Sequence, residues 1–186
     1  MDNAAEYFQA PTERLQEVNF KYTILAIIGV ITVTLDQITK FMARDLQFNG
    51  PVSVIEGFWQ FRYVENRGAA WGIFSGLNDA MRVPFFVIIS LIAVGIILYL
   101  FKRLNAGQKW LIVALSLVLG GAIGNFIDRI ANQYVIDFID MYYQNHHWPT
   151  YNMADIFISV GIGMLVLEII MTKGNSALLD TSDGKK

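Results

Sequence analysis

No cysteine occurs among the 186 residues, and only 16% of them are charged. Without cysteine there is no disulfide, no thiol nucleophile, no zinc–thiolate site and no sulfur through which lipid could be attached to the chain. Soluble domains carry about 25% charged residues, so the shortage of charge argues against one. A net charge of −2 offers none of the clustered Lys and Arg that nucleic acid selects, and no nucleic-acid partner is expected. His146 and His147 have no second ligand pair at metal spacing. They read as loop residues, and neither a metal nor a cofactor is expected. Internal repeats and low-complexity stretches are also missing. What the chain has in quantity is apolar surface: 54% of residues are hydrophobic and the mean hydropathy is +0.42. That combination points to a membrane protein.

A membrane-spanning helix needs about 20 predominantly apolar residues. Four stretches meet this: Tyr22–Ala43, Pro84–Phe101, Trp110–Ile130 and Tyr151–Thr172. Pro84 suits the first turn of its helix, where a missing N–H costs nothing. The first span reads as retained rather than as a cleaved signal peptide, because its apolar run is long and no small-residue cleavage site follows. Orientation follows the basic residues of the short loops. Lys102, Arg103 and Lys109 mark the second connection as cytoplasmic, whereas Ile130 to Thr150 contain no Lys or Arg and should face outward. Both termini are then cytoplasmic, in agreement with Lys173, Lys185 and Lys186. Trp110 and Trp148 fall at the membrane–water boundaries, where amphipathic rings settle.

The expected fold is an all-α membrane protein of four transmembrane helices with a small β-rich region outside the membrane. Residues 1–20 form a polar cytoplasmic tail, 21–172 the membrane domain and 173–186 a second tail, both tails without order. The first outer loop, about 44–83, holds VSVIEGFWQFRYVEN, whose β-branched and aromatic residues around Glu56-Gly57 predict a hairpin. The following RGAAWGIFSGLNDAMR is expected along the bilayer surface.

The polar residues of the spans gather at one depth. Asp36 and Lys40 lie near the outward end of the first span, and Asn125, Asp128 and Arg129 at that end of the third. Asp137 and Asp140 follow, and Asn152 and Asp155 open the fourth. Toward the other side the spans are nearly bare, apart from Glu168, which is close enough to snorkel beside Lys173. Ionisable residues in spans are rare and default to functional hypotheses, yet each has a structural reading. Asp128 suits an ion pair with Arg129, and Asp36 and Lys40 a local i, i+4 pair. Asp155 lies in a first helical turn, where the macrodipole favours negative charge. Asp137 and Asp140 share one face if their segment is helical. Gly120 and Gly124 allow close helix approach.

Two carboxylates in a low-dielectric pocket do not both ionise readily. Such a pair can activate a water and protonate a departing amine with no metal and no nucleophilic side chain, while nearby Asn and Arg stabilise an oxyanion. Residue types and spacing leave open which two of the five outer Asp residues form the pair. A small ion- or proton-coupled membrane transporter is the alternative, although a path through the apolar halves of the spans is hard to draw. A non-catalytic membrane scaffold is a third reading.

Five boxes, in order, resemble the lipoprotein signal peptidase (signal peptidase II) family: DQITK at Asp36–Lys40, ENRGAAWGIF at Glu65–Phe74, GNFIDR at Gly124–Arg129, VIDFI at Val135–Ile139 and YNMAD at Tyr151–Asp155. The resemblance spans about residues 20–172, and the N-terminal tail is longer than the family pattern. It implies an aspartyl endopeptidase of the bacterial cytoplasmic (inner) membrane. Its substrates would be prolipoproteins with a diacylglyceryl-Cys, cut on the N-terminal side of that Cys. By the resemblance, Asp137 and Asp155 are the catalytic dyad. Asn66, Asn125, Arg129 and Asn152 line the pocket and contact substrate or an inhibitor such as globomycin. Ala154 belongs to the last box, Asp128 holds Arg129 or the helix end, and Asp36 and Lys40 support the site. Asp140 matches no family position. Membrane lipids are the other expected partners, and the chain is expected to act as a monomer.

Overall fold

The computed structural model describes residues 4–68 and 78–180. Four long helices dominate: α1 (Ala4–Ala43), α3 (Asp79–Arg103), α4 (Lys109–Ala131) and α5 (Met153–Asp180). A short α2 (Leu46–Asn49) follows α1, and among the described residues there are four strands, β1 (Val52–Ile55), β2 (Trp59–Asn66), β3 (Val135–Tyr143) and β4 (His146–His147). Among the described residues four helices are long and apolar enough to cross a membrane, from Phe20, Ala80, Lys109 and Met153 onward. Their surfaces suit lipid contact: Ile88, Leu91, Ile92 and Ile96 of α3 stay largely exposed, at no cost beside hydrocarbon chains.

Helix α4 is the centre, and α1, α3 and α5 each pack on it. In its apolar stretch 56% of residues are buried, against 6% in α3. Small residues make this approach possible. A Cβ on Gly120 would strike the Thr32 side chain, and one on Gly124 the Asp36 carboxylate, so α1 docks through the expected pair of glycines. Gly121 does the same for α5, since a Cβ there would lie 2.5 Å from the Ala154 carbonyl oxygen. Gly161 of α5 in turn abuts Val118 and the Ala114 carbonyl.

The sheet is antiparallel in the order β1-β2-β3-β4 and lies at the bundle end where α1 and α4 finish and α5 begins. The β1–β2 hairpin turns at Glu56-Gly57 as expected, with Gly57 at φ 78°, a conformation glycine adopts without steric cost. Ala43, Ile136, Phe138 and Ile139 form an apolar core that joins the sheet to the end of α1.

Several expectations give way. Residues 135–143 are a strand paired with β2, from Trp59↔Met141 to Asn66↔Val135. Asp137 and Asp140 therefore share no helical face; they pair with Val64 and Gln60 of β2, on either side of an irregularity in the register. Helix α3 begins at Asp79, with the Asn78 side chain accepting from the Met81 N–H at 3.1 Å. Pro84 thus lies inside the helix, beyond its first turn, and the Ala80 carbonyl lacks the N–H that another residue at 84 would donate. The tails are not without order within the described residues: α1 is helical from Ala4 and α5 to Asp180. Strong helix formers such as Glu13, Arg14, Leu15 and Gln16 extend an existing helix at low cost. The segment expected along the bilayer surface falls mostly outside the described residues, and its end, from Asp79, belongs to α3.

Candidate active site

The start of α5 is fixed by a reciprocal cap. Asn152 precedes the helix, and its Oδ1 accepts from the Asp155 N–H at 3.0 Å, while Asp155 Oδ2 accepts from the Asn152 N–H at 3.1 Å. This is the capping-box arrangement, with both partners satisfying donors the helix leaves free. The cap uses only one carboxylate oxygen. Asp155 Oδ1 accepts instead from Asn125 Nδ2 of α4 at 2.8 Å.

Asp137 comes from β3 and is 2% exposed. Its Oδ1 accepts from Asn152 Nδ2 at 2.7 Å and its Oδ2 from Asn66 Nδ2 at 2.9 Å. Asn66 pairs with Val135, so it is the diagonal neighbour of Asp137 across the two strands, within reach of a side-chain bond. Asn152 Nδ2 also donates to Asn125 Oδ1 at 3.1 Å. The chain Asp137–Asn152–Asn125–Asp155 joins both carboxylates through two amides. Burial raises the Asp137 carboxyl, the nearby charge of Asp155 raises it further, and it reaches about 7 against the lowering by Asn66 and Asn152.

Behind the amides lies a second layer. Lys40 Nζ contacts Asn125 Oδ1 at 2.9 Å, Asp36 Oδ2 at 2.8 Å and Asp128 Oδ2 at 3.0 Å. An ammonium has three protons, and each finds one acceptor. Because Lys40 donates to Asn125 Oδ1, the amide must turn its Nδ2 toward Asp155. Asp36 Oδ1 accepts from the Ala154 N–H at 2.9 Å, and Asp128 Oδ2 from the Ile136 N–H at 3.0 Å. The first and third spans thus hold the backbone beside both carboxylates. Ala154 is fully buried where α5 meets Gly121.

Asp128 does not pair with Arg129. Neighbours in a helix point away from each other, and Asp128 turns inward to Lys40. Arg129 donates to the Asn125 carbonyl at 3.3 Å and sits 5.7 Å over the Phe86 ring. Asp137, Asp155, Asn66 and Arg129 all line one groove of ≈ 1470 Å³, which extends down α5 to Ser159 and Val160 and outward to His146 and His147.

Two sets of residues escaped the sequence reading. Gln37 Nε2 lies 3.2 Å from Asp36 Oδ2, 3.2 Å from the Gly124 carbonyl and 3.4 Å from Asp128 Oδ1. An amide beside Asp36 in an apolar span was the available signal. Asp140 is fully buried, with Gln60 Nε2 at 2.7 Å and His147 Nδ1 at 2.9 Å. His147 is therefore not an idle loop residue, but no local spacing announces a partner on another strand.

Residues 28–171 match the family described as Signal peptidase (SPase) II, Peptidase_A8. A lipoprotein signal peptidase of Anaeromyxobacter sp. is 42% identical over 178 residues, covering 79% of this chain and 84% of its own. One from Geobacter metallireducens is 39% identical over 150 residues, with 80% and 91% covered. Two solved bacterial membrane enzyme structures each give a TM-score of 0.66, at 32% and 34% identity, and cover 87% and 78% of this chain and 91% of their own. Four apolar helices with this likeness define a multi-pass membrane enzyme. The chain belongs to the signal peptidase II family, and it is an aspartic peptidase that removes signal peptides. Nothing in the site or in these likenesses supports the transporter alternative.

Proposed function

We propose that Asp137 and Asp155 are the catalytic dyad, and that the bond cut lies on the N-terminal side of a diacylglycerated Cys in prolipoproteins. One observation carries the reading. Two carboxylates line the same groove, joined through Asn152 and Asn125, and the pair has one member raised to about 7 by burial and by the other's charge. The pair shares one proton and titrates as a unit. The ionised carboxylate takes a proton from water as its oxygen bonds to the scissile carbonyl carbon. The protonated one gives its proton to the leaving nitrogen as the C–N bond breaks. The products are a signal-peptide carboxylate and a free amine on the lipid-bearing Cys. Asn66, Asn125 and Asn152 hold the carboxylates, and Arg129 supports developing negative charge from the groove wall. Two carboxylates and water suffice for this chemistry, without a cofactor.

The groove lies at the bundle end opposite Lys102, Arg103 and Lys109, the basic connection that favours the cytoplasm. The enzyme then sits in the bacterial cytoplasmic membrane as a monomer among lipids, with both termini inside and the dyad at the outer face. A signal helix along α5 brings its cleavage point to this depth, and the lipid on Cys keeps it there. Globomycin would compete for the same groove.

A gel-shift cleavage assay on purified diacylglyceryl-prolipoprotein tests this. Asp137→Asn and Asp155→Asn should fold and be inactive, while Asp128→Asn keeps partial activity. Wild-type rates in either dyad variant at normal protein levels would end the assignment.

A further inference from the structure

The cluster around Asp140 has no part in the proposed hydrolysis, yet it is built with equal care. Its carboxylate is fully buried, with Arg62 Nε at 3.2 Å and His147 Nδ1 at 2.9 Å. Gln60 Nε2 donates to it at 2.7 Å. Arg62 Nη2 donates to Thr150 Oγ1 at 3.0 Å, and the His147 ring stacks on Tyr142 at 5.2 Å. Arg62 and His147 are about one-third exposed, at 35% and 37%, and both line the groove, while the carboxylate that fixes them does not. The guanidinium is held by Nη2 on Thr150 with Nε close to Asp140, the imidazole by Nδ1 on Asp140, and both side chains line the groove. A guanidinium fixed in this way recognises carboxylates at low entropic cost.

The position says what they meet. From Val160 and Ser159 on α5 the groove passes Asp155 and Asp137 and ends among Tyr142, His146 and His147. If the signal helix occupies the α5 end, the chain beyond the cut must leave past Arg62 and His147. Asp140 is three residues along β3 from Asp137, about 10 Å at ~3.3 Å per residue. An extended substrate covers that in about three residues.

We propose that Arg62 and His147, held by Asp140, form a subsite for the mature side of the substrate, favouring an acidic side chain at about the third residue after the cut. This rests on the dyad reading above. Arg62 supplies the planar donors that match a carboxylate, and His147 a second polar edge held by the same buried acid.

The test uses diacylglyceryl peptides differing only at that residue, with Glu, Gln or Lys, cut by wild type, Arg62→Gln, Arg62→Lys and His147→Gln. The readout is the Glu-to-Lys ratio of kcat/KM within each variant, which cancels losses of total activity. Wild type should favour Glu by about fivefold, the effect of one partly exposed charge pair. Arg62→Gln should bring the ratio toward one, Arg62→Lys should retain most of it, and His147→Gln should lower it by less than Arg62→Gln does. A wild-type ratio near one, or a ratio unchanged in Arg62→Gln and His147→Gln, with the Gln peptide cut normally, would overturn the subsite alone. If wild type left the Gln peptide uncut, the peptidase assignment of the groove would fall, and the subsite with it.

Discussion

The two ends of the bundle are held together by opposite means. At the sheet end α1, α4 and α5 meet through Asp36, Lys40, Asn125, Asp128 and Asn152, all buried and bonded to one another or to backbone. At the far end Phe101, Ile112 and Leu115 close an apolar cluster. Lys21 there ties α1 to the end of α3 through the Lys102 and Leu104 carbonyls at 3.0 and 2.8 Å. Apolar contacts tolerate small slides, whereas a network with every donor assigned admits one arrangement. Buried charges add little net stability after desolvation. The sheet end is therefore organised for position, and the far end for cohesion.

The largest expected effect lies at the sheet end and should leave folding intact. Asp137→Asn and Asp155→Asn should each reduce cleavage by about 10³-fold or more, consistent with loss of an acid–base group from a coupled pair. Thermal unfolding in detergent should change little for Asp137→Asn, because the amide no longer bears a buried charge. A variant that unfolded instead would make Asp137 part of the scaffold and erase the distinction between the two ends.

Much of the architecture was legible in the sequence, because a bilayer imposes length and polarity that single residues report directly. The β1–β2 hairpin was legible for a similar local reason, a turn glycine between alternating strands. What stayed hidden depends on partners distant in the chain. Asp128 was read with Arg129 because they are adjacent, but its cation is Lys40, 88 residues earlier. The strand around Asp137 pairs with residues about 75 positions away, and its two acids fitted a helical spacing equally well. Asp140 showed no role for the same reason: its donors sit on β2 and β4. Residue spacing placed the carboxylates toward one end of the spans and left their pairing open. The resemblance selected Asp137 and Asp155, and the geometry supplies the amides that link them.

Lysine replacements sharpen the contrast next. Lys40→Met leaves Asp36 and Asp128 buried without a cation and should cost about 3–5 kcal/mol of stability. Activity should fall as well, since Asn125 loses the bond that sets its orientation. Lys21→Met removes two hydrogen bonds from a charged donor at the far end, worth about 1.5–3 kcal/mol each at most, with cleavage by the surviving folded protein unchanged. Paired melting curves and cleavage rates decide this, and equal losses of specific activity would contradict it.

A smaller effect follows from pH. The Asp137 carboxyl is raised to about 7, by burial first and then by the charge of Asp155. A carboxyl raised on folding binds its proton more tightly in the folded state. Its contribution to stability is complete at low pH and is lost as pH rises toward 7. Between pH 5 and pH 7 this amounts to about 2 kcal/mol, and Asp137→Asn should flatten that part of the profile. An identical slope in wild type and variant would place the titration elsewhere.

The finest distinction concerns a single methyl group. Gly95 of α3 has nothing within 4 Å of a built Cβ, so Gly95→Ala should be neutral or stabilise the helix by up to about 1 kcal/mol. Gly124→Ala offers the same gain in propensity, but its methyl would strike the Asp36 carboxylate. Asp36 can retreat only by loosening its bonds to Lys40 and to the Ala154 N–H, and the start of α5 would shift with it. Stability should fall by about 1–3 kcal/mol, the range for overpacking, and cleavage should drop further than the lost folded fraction explains. That surplus is the quantity to measure, as cleavage rate per folded molecule. If Gly124→Ala lowered stability alone, the α1–α4 contact would be cohesive like the far end, and Asp36 would not position the groove.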